Sequence, residues 1–182
     1  QGPDAAPEVY GDLAPLWNTP EIRSLGNPSG GGFATAADLA LFYQPLLNDG
    51  LVNEGAVVLQ PETIRMATRQ WTDDRHFELL SEAPRIILPT LRGLGIELAG
   101  DDDVILPEGM AETDGIHGMA AISGGMTGTV PARTLRGCFG SSNSAAAFGH
   151  NGAGGQVGWA DPQTGISFAF LTNTFSMPRK GR

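Results

Sequence analysis

The chain has 182 residues, of which 26 are Gly and 13 are Pro, so about a fifth of its positions are backbone punctuation. Hydrophobic residues make up 41% and charged residues 17%, a composition and length that suit one core of ordinary size. The net charge of −9 argues against a nucleic-acid or anionic-membrane surface, a single cysteine (Cys138) excludes an internal disulfide framework, and no apolar run nears the roughly 20 residues of a membrane span.

Nineteen of the twenty acids lie at or before Asp114, while 14 of the 26 glycines come after it. A helix-capable front therefore meets a Gly-rich back. The chain opens at Gln1 without a charged-then-apolar leader, so no signal peptide is expected within it, and the compartment stays undetermined. Thr35 is placed to cap a helix whose apolar positions are Leu39, Phe42, Tyr43, Leu46 and Leu47, with Asp38 completing a capping box. Pro45 should kink that helix or shorten its last turn, and Asn48-Asp49-Gly50 should end it. Val57-Val58-Leu59 predicts a short extended piece, and Pro61-Glu62 the first turn of a second helix running through Ile64 to Ala67-Thr68.

Further along, Leu94, Ile96 and Leu98 alternate with Gly95 and Glu97 as in a half-buried strand. Val157 and Trp159, the turn-forming Asp161-Pro162-Gln163-Thr164-Gly165, and then Ile166, Phe168 and Phe170 predict a hairpin with a five-residue loop. Antiparallel strands after a helical front give an α+β fold, or α/β with an antiparallel sheet, and argue against a parallel βαβ series.

Of three histidines, His76 sits in the charged stretch Asp73-Asp74-Arg75 and is expected to be solvated, and His117 has no second ligand near it. His150 stands apart, in Phe148-Gly149-His150-Asn151-Gly152-Ala153-Gly154-Gly155, where glycines let a backbone or a ligand come close. It is either a hydrogen-bonded turn histidine or a functional one. A dinucleotide fingerprint fails because Val157 stands at the third glycine, and Asp101-Asp102-Asp103 lacks calcium-loop spacing and is expected to be a solvated loop. No metal or cofactor is expected. A hydrolase triad of Ser123, His150 and Asp161 stays open as an alternative, although Ala121 replaces the first glycine of a nucleophile elbow.

These pieces carry a resemblance. Asn27-Pro28-Ser29-Gly30-Gly31-Gly32-Phe33-Ala34-Thr35-Ala36-Ala37-Asp38-Leu39-Ala40 with Phe42-Tyr43 resembles the Gly-rich loop and following helix of the serine β-lactamase-like superfamily, most closely its class C β-lactamase and family VIII carboxylesterase branch. Leu59-Gln60-Pro61-Glu62-Thr63, Arg92-Gly93-Leu94-Gly95-Ile96-Glu97, the run from Phe148 to Gly155, the hairpin and Leu171-Thr172-Asn173 follow in that family's order.

The resemblance implies an α+β, transpeptidase-like fold and acyl transfer through a serine in Ser-x-x-Lys, assisted by a tyrosine. His150-Asn151-Gly152 matches the third motif, which in that family edges the pocket on a strand. His150, Asn151 and Gly152 are then expected to bind substrate, and the backbone N–H of Ala153 to be one oxyanion-hole donor. The one lysine, Lys180, has Met177 where Ser-x-x-Lys needs serine, and the only tyrosine before Asn27 is Tyr10, so the nucleophile, its lysine and its tyrosine are expected outside this chain.

On this reading residues 1–75 end a helical subdomain, 90–175 hold the C-terminal antiparallel strands, and 176–182 form a tail. The chain is expected to be the C-terminal part of a serine ester hydrolase, inactive alone, with a small ester or acyl substrate. It is also expected to pair with its missing N-terminal half or with a second copy. A β-lactamase or penicillin-binding-type acyl transferase, and a non-catalytic module of the same fold, are the alternatives.

Overall fold

The computed structural model describes residues 19–28, 30–52, 55–73, 75–82, 85–106, 128–136, 138–152 and 155–172. A short helix α1 (Pro20–Ser24) comes first, with Thr19 accepting the Ile22 N–H at its start. The Gly-rich run then leads into α2 (Ala36–Leu47), capped as expected: Thr35 accepts the Asp38 N–H at 3.1 Å, and Asp38 accepts the Thr35 N–H at 3.0 Å. Pro45 does not cut the helix. It lies in the last turn, α2 runs on to Leu47, and the Pro45 carbonyl takes the N–H groups of both Asn48 and Gly50. Gly50 has φ +82°, and a Cβ there would lie 1.7 Å from the Leu59 carbonyl oxygen, so no other residue fits this stop.

Beyond it, Val57 forms one isolated bridge with Leu51, less than the extended piece the sequence predicts. Helix α3 (Pro61–Thr68) starts on its proline and buries Ile64. Two strands without a sequence signal follow, β1 (Phe77–Glu82) and β2 (Arg85–Pro89), as an antiparallel pair. Then come β3 (Glu97–Leu98), β4 (Asp103–Leu106), β5 (Gly128–Pro131), a 3-10 turn (Ala132–Leu135), β6 (Phe148–Gly152), β7 (Gln156–Asp161) and β8 (Ile166–Phe170).

The main sheet is antiparallel with strand order β3-β6-β7-β8, and β4 pairs separately with β5. This α+β arrangement agrees with the fold class drawn from the sequence. The β7–β8 hairpin is present with a loop one residue shorter than expected, because Asp161 still pairs with Ile166. Gly165, at φ +72°, returns its N–H to the Asp161 carbonyl at 2.8 Å and closes the turn.

Register sorts the side chains into two faces. Leu98, Phe148, Ala160 and Ser167 form one row across the four strands, with His150, Gly158 and Ala169 beside it on the same face. Helix α2 lies over this face: Tyr43, Phe148 and Ala160 form a buried cluster with Leu39, Leu46 and Leu47 against it. Gly158 is the seat of the helix, since a Cβ there would meet Tyr43 Cε2 at 2.8 Å and Leu39 Cδ2 at 3.1 Å.

The opposite face carries the row Glu97, Gly149, Trp159 and Phe168. It is partly covered by a second cluster of Ala99, Cys138, Phe139 and Ala147, on which Val157 and Trp159 pack. A third cluster, Leu88, Leu106, Val130, Ala132 and Leu135, ties β2 to the β4–β5 pair. Arg136 joins these regions. Its guanidinium makes two parallel bonds to Asp102 (3.0 and 2.9 Å) and donates to the carbonyls of Ala99 and Pro89. Asp102 is thus part of a clamp, not the solvated loop expected of Asp101-Asp102-Asp103. No helix among the described residues is long and apolar enough to cross a membrane.

Candidate functional site

His150, Asn151 and Gly152 lie on β6, the strand that the resemblance implies and that residue pattern alone shows only as a Gly-rich run. On one side β7 pairs with all three, His150 facing Gly158, Asn151 facing Val157 and Gly152 facing Gln156. On the other side β3 reaches only Phe148 and Gly149. The alternation of Leu94, Ile96 and Leu98 predicts a longer strand there. Instead the chain folds back on itself: Arg92 bridges Glu97, the Gly93 N–H donates to the Ile96 carbonyl at 3.0 Å, and Gly95 takes φ +75°. Among the described residues the β3-side edge of β6 therefore has no strand partner from His150 to Gly152.

The tight approach of β6 to β7 has a steric cause. A Cβ on Gly149 would sit 2.3 Å from the Gly158 carbonyl oxygen and 2.7 Å from Trp159 Cα. One of the glycines flanking His150 is thus required by the sheet itself. Ala153, the expected oxyanion donor, lies outside the described residues, as do Ser123, His117, Tyr10 and Lys180.

The exposed His150 ring has two polar neighbours. Its Nδ1 faces the Asn151 carbonyl oxygen, and its Nε2 lies 3.3 Å from Arg92 Nη1. Arg92 in turn pairs through Nη2 with Glu97 Oε1 at 2.9 Å. The other oxygen of Glu97 accepts the Cys138 thiol at 3.2 Å. Burial, followed by the charge of Glu97, pushes that thiol well above the ordinary cysteine range, so it stays a protonated donor and a poor nucleophile. A connected set of polar groups thus runs from the open edge of β6 to a buried cysteine. Arg92 and Glu97 were missed as site residues by sequence reasoning; the only signal was their place in a glycine-punctuated stretch.

The Asp161–His150 leg of the alternative triad is not formed among the described residues. Asp161 is buried at the far end of β7, where its carboxylate accepts the Ser144 N–H (2.8 Å), the Ser144 hydroxyl (2.6 Å) and the Gln163 N–H (3.0 Å). Its oxygens are spent on holding a loop, and the described partners of His150 are Arg92 and Asn151. His76 is exposed and sits against Asp73 at 2.8 Å, in the charged surface setting its sequence implies. No group of three His, Cys, Asp or Glu side chains among the described residues is arranged to hold a metal ion.

Comparison with known families settles the kinship. The family model described as Beta-lactamase matches residues 1–182. The chain belongs to the beta-lactamase family. Among individual proteins it is similar to the Esterase/beta-lactamase LipL of Mycobacterium tuberculosis (strain ATCC 25618 / H37Rv), with 28% identity over 176 residues. That alignment covers 97% of this chain and 28% of the relative, so the chain spans little more than a quarter of that protein's length. In this beta-lactamase family chain His150, Asn151 and Gly152 lie on a strand whose β3-side edge, among the described residues, is left open by the Arg92–Glu97 turn.

Proposed function

We propose that this chain forms one wall of the acyl pocket of a serine hydrolase that cleaves carboxylic esters through an acyl-serine intermediate. On this reading His150, Asn151 and Gly152 line the bound acyl group, and the Ala153 N–H is one of two donors to the tetrahedral oxyanion. The nucleophilic serine, its lysine and its tyrosine come from outside the chain. The observation that carries the reading is the β3-side edge of β6 at His150–Gly152, which has no strand partner among the described residues, so that a substrate carbonyl can approach it without displacing one of their strands. Beta-lactamase family membership and the similarity to an esterase/beta-lactamase support the same chemistry.

An ester is favoured over a β-lactam by the residue at 150. An imidazole offers an uncharged acyl group a hydrogen-bonding ring, whereas a lysine at this place would present a fixed positive charge that suits a carboxylate. The nearby cation, Arg92, already faces the Glu97 carboxylate.

Fluorophosphonate treatment of the full-length protein, with peptide mapping, tests the proposal. The expected label falls on a serine outside residues 1–182, with turnover of a p-nitrophenyl ester and none by the 182-residue chain alone. Label on Ser123 overturns the assignment of the nucleophile. Preferential hydrolysis of a chromogenic cephalosporin would mark a β-lactamase, and absence of both label and turnover a binding module.

A further inference from the structure

We propose that Arg92 is the positioning residue of His150: its guanidinium, anchored on Glu97, fixes the imidazole as the Nδ1–H tautomer. The proposal rests on the pocket reading above and deepens it. A guanidinium has five N–H donors and no acceptor, so the ring nitrogen facing Arg92 Nη1, Nε2 at 3.3 Å, can only accept. The other ring nitrogen faces the Asn151 carbonyl oxygen, which can only accept and so needs a proton on Nδ1. Both neighbours demand the same tautomer.

The arginine is itself held from several directions. Its Nη2 meets Glu97 at 2.9 Å, its backbone N–H donates to Thr72 Oγ1 at 3.1 Å, and its carbonyl accepts the Trp71 N–H at 2.8 Å. Glu97 is fixed in turn by the Cys138 thiol and by its pairing with Gly149. The cation is therefore delivered to His150 by a tight turn rather than by a floppy loop.

The chemical consequence is a division of labour. With Nδ1–H committed to the Asn151 carbonyl and Nε2 to a cationic donor, His150 is a fixed neutral wall of the pocket, not a proton shuttle. Proton transfer in acylation then falls to groups outside this chain.

Histidine ¹⁵N spectra of the full-length protein at neutral pH test this, with the His150 signals assigned by their loss in His150→Gln. The expected wild-type spectrum has a protonated Nδ1 and an unprotonated Nε2, well separated. In Arg92→Met the two are expected to move toward each other while the tryptophan indole signals stay in place. A wild-type Nε2–H tautomer, an imidazolium, or an unchanged pair of shifts in a folded Arg92→Met overturns the proposal; should that variant lose its indole pattern, the wild-type spectrum alone decides. The shifts report on Arg92 and His150 whether or not an ester is turned over. Failure of the hydrolase reading would appear as absent turnover with the tautomer intact, and failure of the positioning as the reverse.

Discussion

Arg136 shows how one side chain can hold what the chain's weak local signals cannot. It is 4% exposed, and its donors meet a carboxylate and two carbonyls from segments 34 to 47 residues away. Arg136→Met would leave Asp102 and the carbonyls of Ala99 and Pro89 without their donor. Breaking one partner of a buried pair costs about 3–5 kcal/mol, and a urea-unfolding midpoint is expected to fall accordingly. Asp161 makes a pH-dependent contribution. Burial alone would raise its carboxyl, but the Ser144 hydroxyl and the N–H groups of Ser144, Gln163 and Thr164 outweigh that and leave it below the ordinary value. A lowered folded value carries stability that is whole above about pH 4 and is lost as pH falls through the folded value. Asp161→Asn should therefore flatten the acid limb of a stability–pH curve while lowering its plateau. At the proposed pocket, Ala153→Pro removes a backbone N–H, and loss of one oxyanion donor is expected to reduce kcat of the full-length protein by about 10²–10³-fold, with KM little changed.

At the scale of elements, the two glycines at the β6–β7 contact should differ in cost. Gly158→Ala drives a methyl into Tyr43 and Leu39 side chains, which can turn aside, and overpacking of that kind costs about 1–3 kcal/mol. Gly149→Ala drives one into the Gly158 carbonyl and the Trp159 backbone, which cannot, so its loss in a urea titration should be the larger. The elements legible in the sequence were those with local rules. Helix α2 carries a capping box and an apolar stripe, α3 starts on Pro61, and the β7–β8 hairpin carries alternation around turn residues. Strand β6 was hidden from periodicity, though not from the family resemblance, because Phe148-Gly149-His150-Asn151-Gly152 has no apolar alternation; neighbours on both sides of Phe148 and Gly149 make it a strand. The β4–β5 pair joins residues more than twenty positions apart, beyond the reach of a periodicity window. The same distance rule governed the site. His150 could be singled out from its flanking glycines, but its contact with Arg92 spans 58 positions.

Across the described residues the sheet ends at β8, and Ile166, Phe168 and Phe170 are exposed along that last strand. Phe168 stacks on Trp159 with ring centroids 5.3 Å apart, so the apolar surface continues inward. An edge of this kind invites pairing. As part of the proposed assembly, the isolated chain is expected to associate with itself, or with its missing half when that is supplied. Sedimentation should show the monomer fraction rising in an Ile166→Lys, Phe170→Lys double variant; a compact monomer of the unaltered chain would count against the expectation. Helix α2, which the sequence placed at the end of a helical subdomain, packs on β7 and β8 over the face opposite the one that carries Phe168. The turn between Arg92 and Glu97 has a consequence for how relatives of this chain can diverge. It ends β3 by looping back after four residues, and antiparallel register would otherwise continue from Gly149 to His150 and beyond. An insertion of two residues there would let the ladder zip one step further along β6, and a deletion would unzip it. The width of the opening is then set by chain length at one hairpin, and in the proposed pocket the range of acyl groups admitted is expected to shift through small indels while His150, Asn151 and Gly152 stay the same.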